Sequence, residues 1–354
     1  MKQAHVRQSI SEVNEGAWNN VVEQSEGGSV FHRTGWLRAV EEGLGRPARH
    51  LVVEKSGNPI SVFPNFLVDI SVPDIGPVPF DGLGLRRLTS LKPGFGGPVF
   101  VGDEQTNFEV TFDNAKRLFA ETDAMSHLLK PSSSNFARYA SQLADRGYRS
   151  EVRSCRFVID LRQGWDEIKS NMHRSKRSNL KRASENSATV EDRQLDDVAL
   201  EEFYNTYTSA MDRVDGIQYP FRFFEVLQRE LADRIKLFTV TADGEFAGGQ
   251  LYLLDDESST MHEFFRGLDA EYFEYNPSEL ISERAIKWAI EHGYDEYDLG
   301  STAADFTSGS FTYKEELGGE LRPIIVWERG DSTPQWHIYR AGRWFVRNQD
   351  RIKA

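Results

Sequence analysis

Cysteine, lysine and long apolar runs are what this sequence has little of. Cys155 is the one cysteine in 354 residues. An internal disulfide, a thiolate zinc site and a two-thiol redox motif are therefore excluded. No apolar run approaches the ~18 residues of a membrane-spanning helix. The opening MKQAHVRQSISE has no apolar stretch of the secretory kind, and the expected location is the cytoplasm. Lysine is scarce beside arginine, 12 against 30, and acids outnumber bases to a net charge of −13. That balance argues against DNA as a partner, which needs a basic footprint. It fits a salt-adapted host or a GC-rich genome equally. No histidines pair at metal-ligand spacing and HExxH is missing, so no metal is expected. GxSxG and GxxxxGK[ST] are missing too.

What is present supports folded cores: 39% hydrophobic residues, 12% aromatic. The length fits about two domains. His50–Val68 (HLVVEKSGNPISVFPNFLV) and Ile235–Asp255 (IKLFTVTADGEFAGGQLYLLD) share a pattern, an apolar run, a Gly-bearing turn and a second apolar run. Each reads as a hairpin. Helical patterns precede both, over Gly35–Leu44, Glu201–Arg213 and Pro220–Leu231. A helix and then a strand follow both, Asn114–Thr122 with Ser126–Lys130, and SELISERAIKWAIEHG with YDEYDLG. In the latter helix Ser278 is the expected N-cap and Gly293 the stop. The repetition predicts two related α/β domains, residues 1–160 and 161–320, with a tail over 321–354. Residues 76–100, rich in Gly and Pro, read as turns between short strands.

Two local features carry charge unlike their surroundings. Residues 164–182 hold six Lys or Arg against two acids. Read as one helix, they put Trp165, Ile168 and Met172 on one face and Arg174, Arg177 and Lys181 on another. That second face is either solvated or an anchor for an anionic partner. The other feature is DLGSTAADFTSGSFTYKEELGGELR, Asp298 to Arg322. Trp288 through Tyr313 contains five carboxylates and no Lys or Arg, and then Lys314 follows Phe311 and Tyr313. Gly300, Ser301 and Thr302 open a loop at a strand end, where open α/β sheets often bind ligands. A lone cation there is either a structural ion pair or a group that stabilises an oxyanion or phosphate. His262 and Glu263 sit on a strand, where a histidine is usually packed. The tail TPQWHIYRAGRWFVRNQDRIKA is expected to be a helix with Ile338, Phe345 and Val346 packed and Arg340, Arg343, Arg347 and Arg351 on another face. It is read as a cap, with contact to an anionic membrane surface as the alternative.

These elements together resemble the Fem-type peptidyltransferases and the BioF2-like GNAT acyltransferases. YNPSELISERAIKWAIEHGYDEYDLG is similar to that family's Tyr–Pro–helix–Gly–strand–Asp element. FTYKEELGGE is similar to its aromatic-Lys motif, FHRTGWLRAV to its Trp-bearing helix, FGGPVF to its Gly-Gly-Pro element and RSKRSNLKRA to its basic helix. The resemblance implies two tandem GNAT-like (acyl-CoA N-acyltransferase) domains, each a mixed central sheet flanked by helices, with the tail packing on the first. It implies an enzyme that moves an acyl or aminoacyl group to an amine. The co-substrate would be acyl-CoA or aminoacyl-tRNA, with no permanently bound cofactor and an amine acceptor that is lipid- or nucleotide-linked. Lys314, Tyr313 and Asp298 match the family's motif positions. On this reading Lys314 holds the donor's carbonyl oxygen or phosphate, and Arg174, Arg177, Lys181 and Ser301 bind the donor. Asp298 is the first candidate proton acceptor, followed by Glu263 and Tyr275. The sequence departs from the family at Val40, at Tyr219 with Phe223, and in lacking [RQ]xxGx[GA] after GQLYLLDD. The competing reading is a non-catalytic polyanion-binding module on the same scaffold.

Overall fold

The structure is a computed structural model that describes residues 2–70, 84–90 and 93–352, with side chains described as far as 344. In chain order the strands are β1 (Lys2–Arg7), β2 (His50–Lys55), β3 (Asn58–Phe63), β4 (Phe66–Asp69), β5 (Arg86–Thr89), β6 (Val99–Phe100), β7 (Ser126–Leu129), β8 (Arg149–Asp160), β9 (Thr189–Arg193), β10 (Ile235–Ala242), β11 (Glu245–Asp255), β12 (Thr260–Leu268), β13 (Glu296–Thr302) and β14 (Glu320–Gly330). The α-helices are α1 (Glu15–Gln24), α2 (Thr34–Arg38), α3 (Glu104–Ala120), α4 (Ala140–Asp145), α5 (Trp165–Asn171), α6 (Arg174–Ala183), α7 (Asp197–Arg213), α8 (Phe221–Glu230), α9 (Pro277–Glu291), α10 (Gly309–Glu316) and α11 (Pro334–Ile352).

The chain forms two compact units. One comprises Met1–Leu37, Gly45–Glu151 and Ile325–Ala354, the other Arg38–Leu44 and Val152–Ile324. The divisions fall inside β8 and β14, whose continuous strand patterns carry no boundary signal in the sequence. In the first unit β1, β2, β3 and β6 form one sheet, and β4, β5, β7 and β14 are neighbours in another. Phe63, Phe108, Phe112, Leu129 and Trp327 fill its core. On α11 the packed face is Trp336, Tyr339 and Arg343, while Ile338, expected to pack, is 42% exposed. The side chains of Phe345, Val346, Arg347 and Arg351 lie outside the described residues, as do 76–83 and 91–92 of the Gly/Pro-rich stretch. Among the described residues no helix is long and apolar enough to cross a membrane.

The second unit orders its strands β8-β13-β12-β11-β10-β9. The expected hairpin is β10 with β11, antiparallel, and β12 continues the meander. Strand alternation puts Tyr252, Met261, Tyr297 and Phe157 on one face, where Ile281, Ala285 and Trp288 of α9 cover them. Asn276 caps α9 in the left-handed region (φ 54°), with Pro277 at the first helical position, so Ser278, expected as the cap, is instead the second helical residue. The basic stretch is two helices rather than one. Met172 and His173 are extended, His173 accepts from Ser175 N–H, and the chain turns between α5 and α6. Lys176, Leu180 and Ala183 are the buried face of α6, while Arg174, Arg177 and Lys181 face solvent.

On the other face, α7 lies against β12 because Gly267 has no side chain. A Cβ there would stand 2.4 Å from Tyr207 N and 2.7 Å from its Cα. Gly267→Val should therefore destabilise the protein by about 1–3 kcal/mol. Urea unfolding measures this, and an unchanged midpoint would show that the close approach is dispensable.

Candidate functional site

Lys314 reaches the sheet because Phe311, three residues earlier on α10, anchors the same helix face. Its ring meets Phe157 edge-on at 5.0 Å. The target is a bulge in β13. Between Asp298↔Val158 and Ser301↔Arg156, the two residues Leu299 and Gly300 stand opposite the single Phe157. Gly300 sits at φ 76°, and a Cβ there would come within 2.9 Å of Glu263 O, so both conformation and space call for glycine. The bulge turns three carbonyls inward, and the Lys314 ammonium donates to all of them: Leu299 at 2.5 Å, Gly300 at 2.9 Å and Ser301 at 3.2 Å. Burial lowers the Lys314 pKa from its ordinary value, against the opposing pull of Glu263 and Asp298.

Asp298 holds the bulge from beneath. Its carboxylate accepts from Gly300 N–H at 2.9 Å, Arg156 at 2.7 Å and His262 Nδ1 at 3.1 Å. His262 Nε2 reaches Asp255 at 3.4 Å, so a buried imidazolium lies between two carboxylates. Burial alone would lower the His262 pKa, but the two aspartates raise it to about 9. Burial alone would raise Asp298, but Arg156, His262 and Gly300 N–H hold it far below the usual carboxylate range. These partners make Asp298 a fixed anion and a poor proton acceptor at neutral pH.

A second bulge lies in β12. The register runs Leu251↔Phe265, then Tyr252↔Glu263, leaving Phe264 over. Simple alternation would send Glu263 and Arg266 to opposite faces, and the extra residue puts them on one. Arg266 donates to Glu263 Oε1 at 2.6 Å and to Gln250 Oε1 at 2.6 Å, and Tyr297 OH approaches Glu263 Oε2 at 3.3 Å. Tyr313 lies beside this group, with Arg266 5.2 Å and the Lys176 ammonium 3.9 Å from its ring centre. Lys176 is buried and pairs with Glu279 at 3.1 Å.

Lys314, Glu263, Tyr313 and Asp298 are thus brought to one region of the second unit, and Ser301 contributes its carbonyl. Tyr275 is elsewhere. Its hydroxyl donates to Asp243, in the β10–β11 turn, where it is pushed up to about 12 first by that bond. At ~3.3 Å per residue, that turn is roughly 25 Å along β11 from the Tyr252–Glu263 pair. Arg174, Arg177 and Lys181 are exposed, with Arg177 bonded to the Ser170 and Met172 carbonyls. Sequence reasoning missed Gln250, Arg266, Lys176 and Arg156. The opposite register of Gln250 and Arg266 needs the β12 bulge, which leaves no mark in the residue pattern. Among the described residues no group of His, Cys, Asp or Glu is set to hold a metal ion.

β12 and β13 run parallel through three residue pairs, ending at His262↔Asp298, after which β13 continues along β8. The lysine, its carbonyl cage and Glu263 all lie where the parallel register stops. Residues 170–315 match the family model for an acetyltransferase (GNAT) domain. This stretch is a GNAT domain. The fold of the whole chain is similar to that of FemX (TM-score 0.70, 16% identity, 96% of this chain and 99% of that one). It is similar to the C-terminal domain of a putative lysylphosphatidylglycerol synthetase from Agrobacterium fabrum (TM-score 0.60, 12% identity, 96% and 97%). It is similar also to a tandem GNAT protein from the clavulanic acid biosynthesis pathway (TM-score 0.55, 12% identity, 94% and 100%). At these identities the likeness is one of fold, and the chain has the tandem GNAT fold. No curated protein matches it in sequence. The GNAT domain contains Lys314, Glu263, Arg266, Tyr313 and Asp298, while Arg156 reaches in from β8.

The imidazolium of the GNAT domain gives a pH test. A raised pKa means its contribution is complete below the unfolded value of 6.5 and is lost as pH climbs through about 9. His262→Leu leaves two buried carboxylates without it and should cost about 3–5 kcal/mol near neutral pH. Unfolding midpoints should fall across that window in the wild type and stay flatter in the variant. Parallel curves would remove His262 as the titrating group.

Proposed function

We propose that the protein is an amine acyltransferase whose chemistry lies at the β13 bulge of the GNAT domain. The observation that carries this reading is the caged Lys314 ammonium beside Glu263, at the point where the parallel strands part. The donor is an acyl thioester of the acyl-CoA class, as the acetyltransferase description of residues 170–315 supports. Backbone groups beyond the end of the β12–β13 register would bond an extended, amide-bearing donor arm as an added strand would.

Aminolysis needs an uncharged amine, a held carbonyl and a stabilised oxyanion. As the uncharged amine nitrogen bonds the acyl carbon, Glu263 accepts the proton that nitrogen gives up, and the carbonyl oxygen becomes an oxyanion. Lys314 has three N–H donors, all facing carbonyls. The longest of those bonds, to Ser301 at 3.2 Å, is the one on the exposed side. Exchanging it for the oxyanion keeps the other two and holds the ammonium in place. Collapse breaks the C–S bond, and the thiolate leaves with the proton. The exposed Arg174, Arg177 and Lys181 raise the local concentration of a polyanionic donor.

An aminoacyl group carried by tRNA is the alternative donor, and transfer from aminoacyl-tRNA is assayed beside thiol release. Exposed Ile338 and Trp344 on α11 would suit peripheral contact with a membrane.

Thiol release from acyl-CoA on adding amine tests the reading. Lys314→Ala should lower turnover about 10²–10³-fold, with the circular dichroism of the fold retained. Glu263→Gln should lower it about 10²-fold. Wild-type turnover in either variant would overturn the role given to that residue.

A further inference from the structure

Two buried polar atoms flank the Arg266 guanidinium with nothing to bond. Gln250 Nε2 and Tyr313 OH have no hydrogen-bond partner, although Gln250 is 1% exposed. Burying such a group unmet costs about 1–3 kcal/mol. Gln250 is already oriented, because its carbonyl oxygen accepts from Arg266 Nε at 2.6 Å, which turns its amide nitrogen outward from that bond. Arg266 also gives Nη2 to Glu263, which leaves further N–H groups on the same fork. Its side chain retains 24% exposure.

The chemistry of these groups is one-sided. An amide nitrogen and a guanidinium only donate, and a tyrosine hydroxyl also can. A ligand that satisfies them must supply acceptors, and a carboxylate is acceptor-only with about four lone-pair positions. Glu263, bonded to the same guanidinium, offers the opposite: a carboxylate for a cationic amine. The surrounding charges already balance. Lys176, Arg266 and Lys314 face Glu279, Glu316 and Glu263. A simple carboxylate or a simple ammonium would upset that balance, and a zwitterion keeps it.

We infer that Gln250, Arg266 and Tyr313 form a carboxylate-binding site, and that the acceptor is an α-amino acid or a group ending in one, its amine at Glu263. This rests on the acyl-transfer reading for the amine's fate, but the binding itself does not. The product would then be an N-acyl amino acid.

Calorimetric titration separates the two. L-α-amino acids are each compared with the amine left by decarboxylation, L-alanine with ethylamine for example. At least one amino acid should bind ten-fold or more tightly than its amine. Gln250→Leu and Tyr313→Phe should each weaken that binding five-fold or more. Tyr313→Phe removes only an unmet buried group, so it should leave the unfolding midpoint unchanged or raise it. Equal binding of acid and amine, no binding by any amino acid, or variants with wild-type affinity would overturn the site. Amino-acid binding without thiol release from any acyl-CoA, and without transfer from aminoacyl-tRNA, would leave the site standing and overturn the transferase reading. Thiol release with simple amines, unaffected by Gln250→Leu, would do the reverse.

Discussion

Three backbone carbonyls point at one another across the β13 bulge, and the Lys314 ammonium makes that arrangement tenable. Converging carbonyl oxygens repel unless a cation sits between them. A buried ammonium is equally costly unless its three hydrogens are met. Each condition satisfies the other, so lysine and bulge are one structural unit. Asp298 closes it by taking the Gly300 N–H, and Gly300 supplies the conformation and clearance that a side chain would deny. Charge-assisted bonds of this kind contribute about 1.5–3 kcal/mol each. Their sum is what offsets burial.

The two bulges divide the sheet's charge between its faces. On one face Asp255, His262, Asp298 and Arg156 form a closed set in which each carboxylate accepts from His262 and from at least one further donor. That set fixes backbone. On the other face Glu263, Arg266, Gln250, Tyr313 and Lys176 form a set whose charges are paired but whose hydrogen bonds are incomplete. Lys314 belongs to both, through the carbonyls that Asp298 positions and through the electrostatic pull of Glu263. Coupling between the faces therefore runs through backbone over a few ångströms.

The meander of the second unit and the α9–β13 element were legible in the sequence because their apolar periodicity is strong and their turns carry glycine. Lys314 was legible through contrast, being a single cation in an acidic stretch. Its partners were not. Carbonyl oxygens have no sequence identity, so a cage of them is invisible in residue letters. Asp298 was weighed as a proton acceptor because the strand end exposes it on paper, while Arg156, far off in sequence but on the neighbouring strand β8, helps make it a fixed anion. Tyr275 stood close to the motif in sequence but falls at the far turn, at the end of a 3-10 helix (Ala270–Tyr275) where its hydroxyl donates to Asp243. The basic stretch was read as one helix since nothing in its letters marks the extended Met172–His173 step. Lys176 was absorbed into the charge run, although its place on the α6 face beside Leu180 would have set it apart from Arg174 and Arg177.

Local inconsistency is informative where the rest of a site is consistent. In the second unit's site Lys176, Arg266, Arg156 and His262 each pair with a carboxylate, and the carbonyls of the bulge are met by Lys314. Against that background an amide nitrogen and a phenol left unmet beside a half-occupied guanidinium are an exception, and at position 313 phenylalanine would fill the same space at lower cost. Proteins carry such costs at sites where a ligand repays them. The groups that remain are all donors, they surround a cation, and the nearest carboxylate faces the amine that the transfer chemistry requires. The unmet donors and the proton acceptor therefore address opposite ends of one small zwitterion, which ties specificity and reactivity to a single pair of residues, Glu263 and Arg266, set side by side by the β12 bulge.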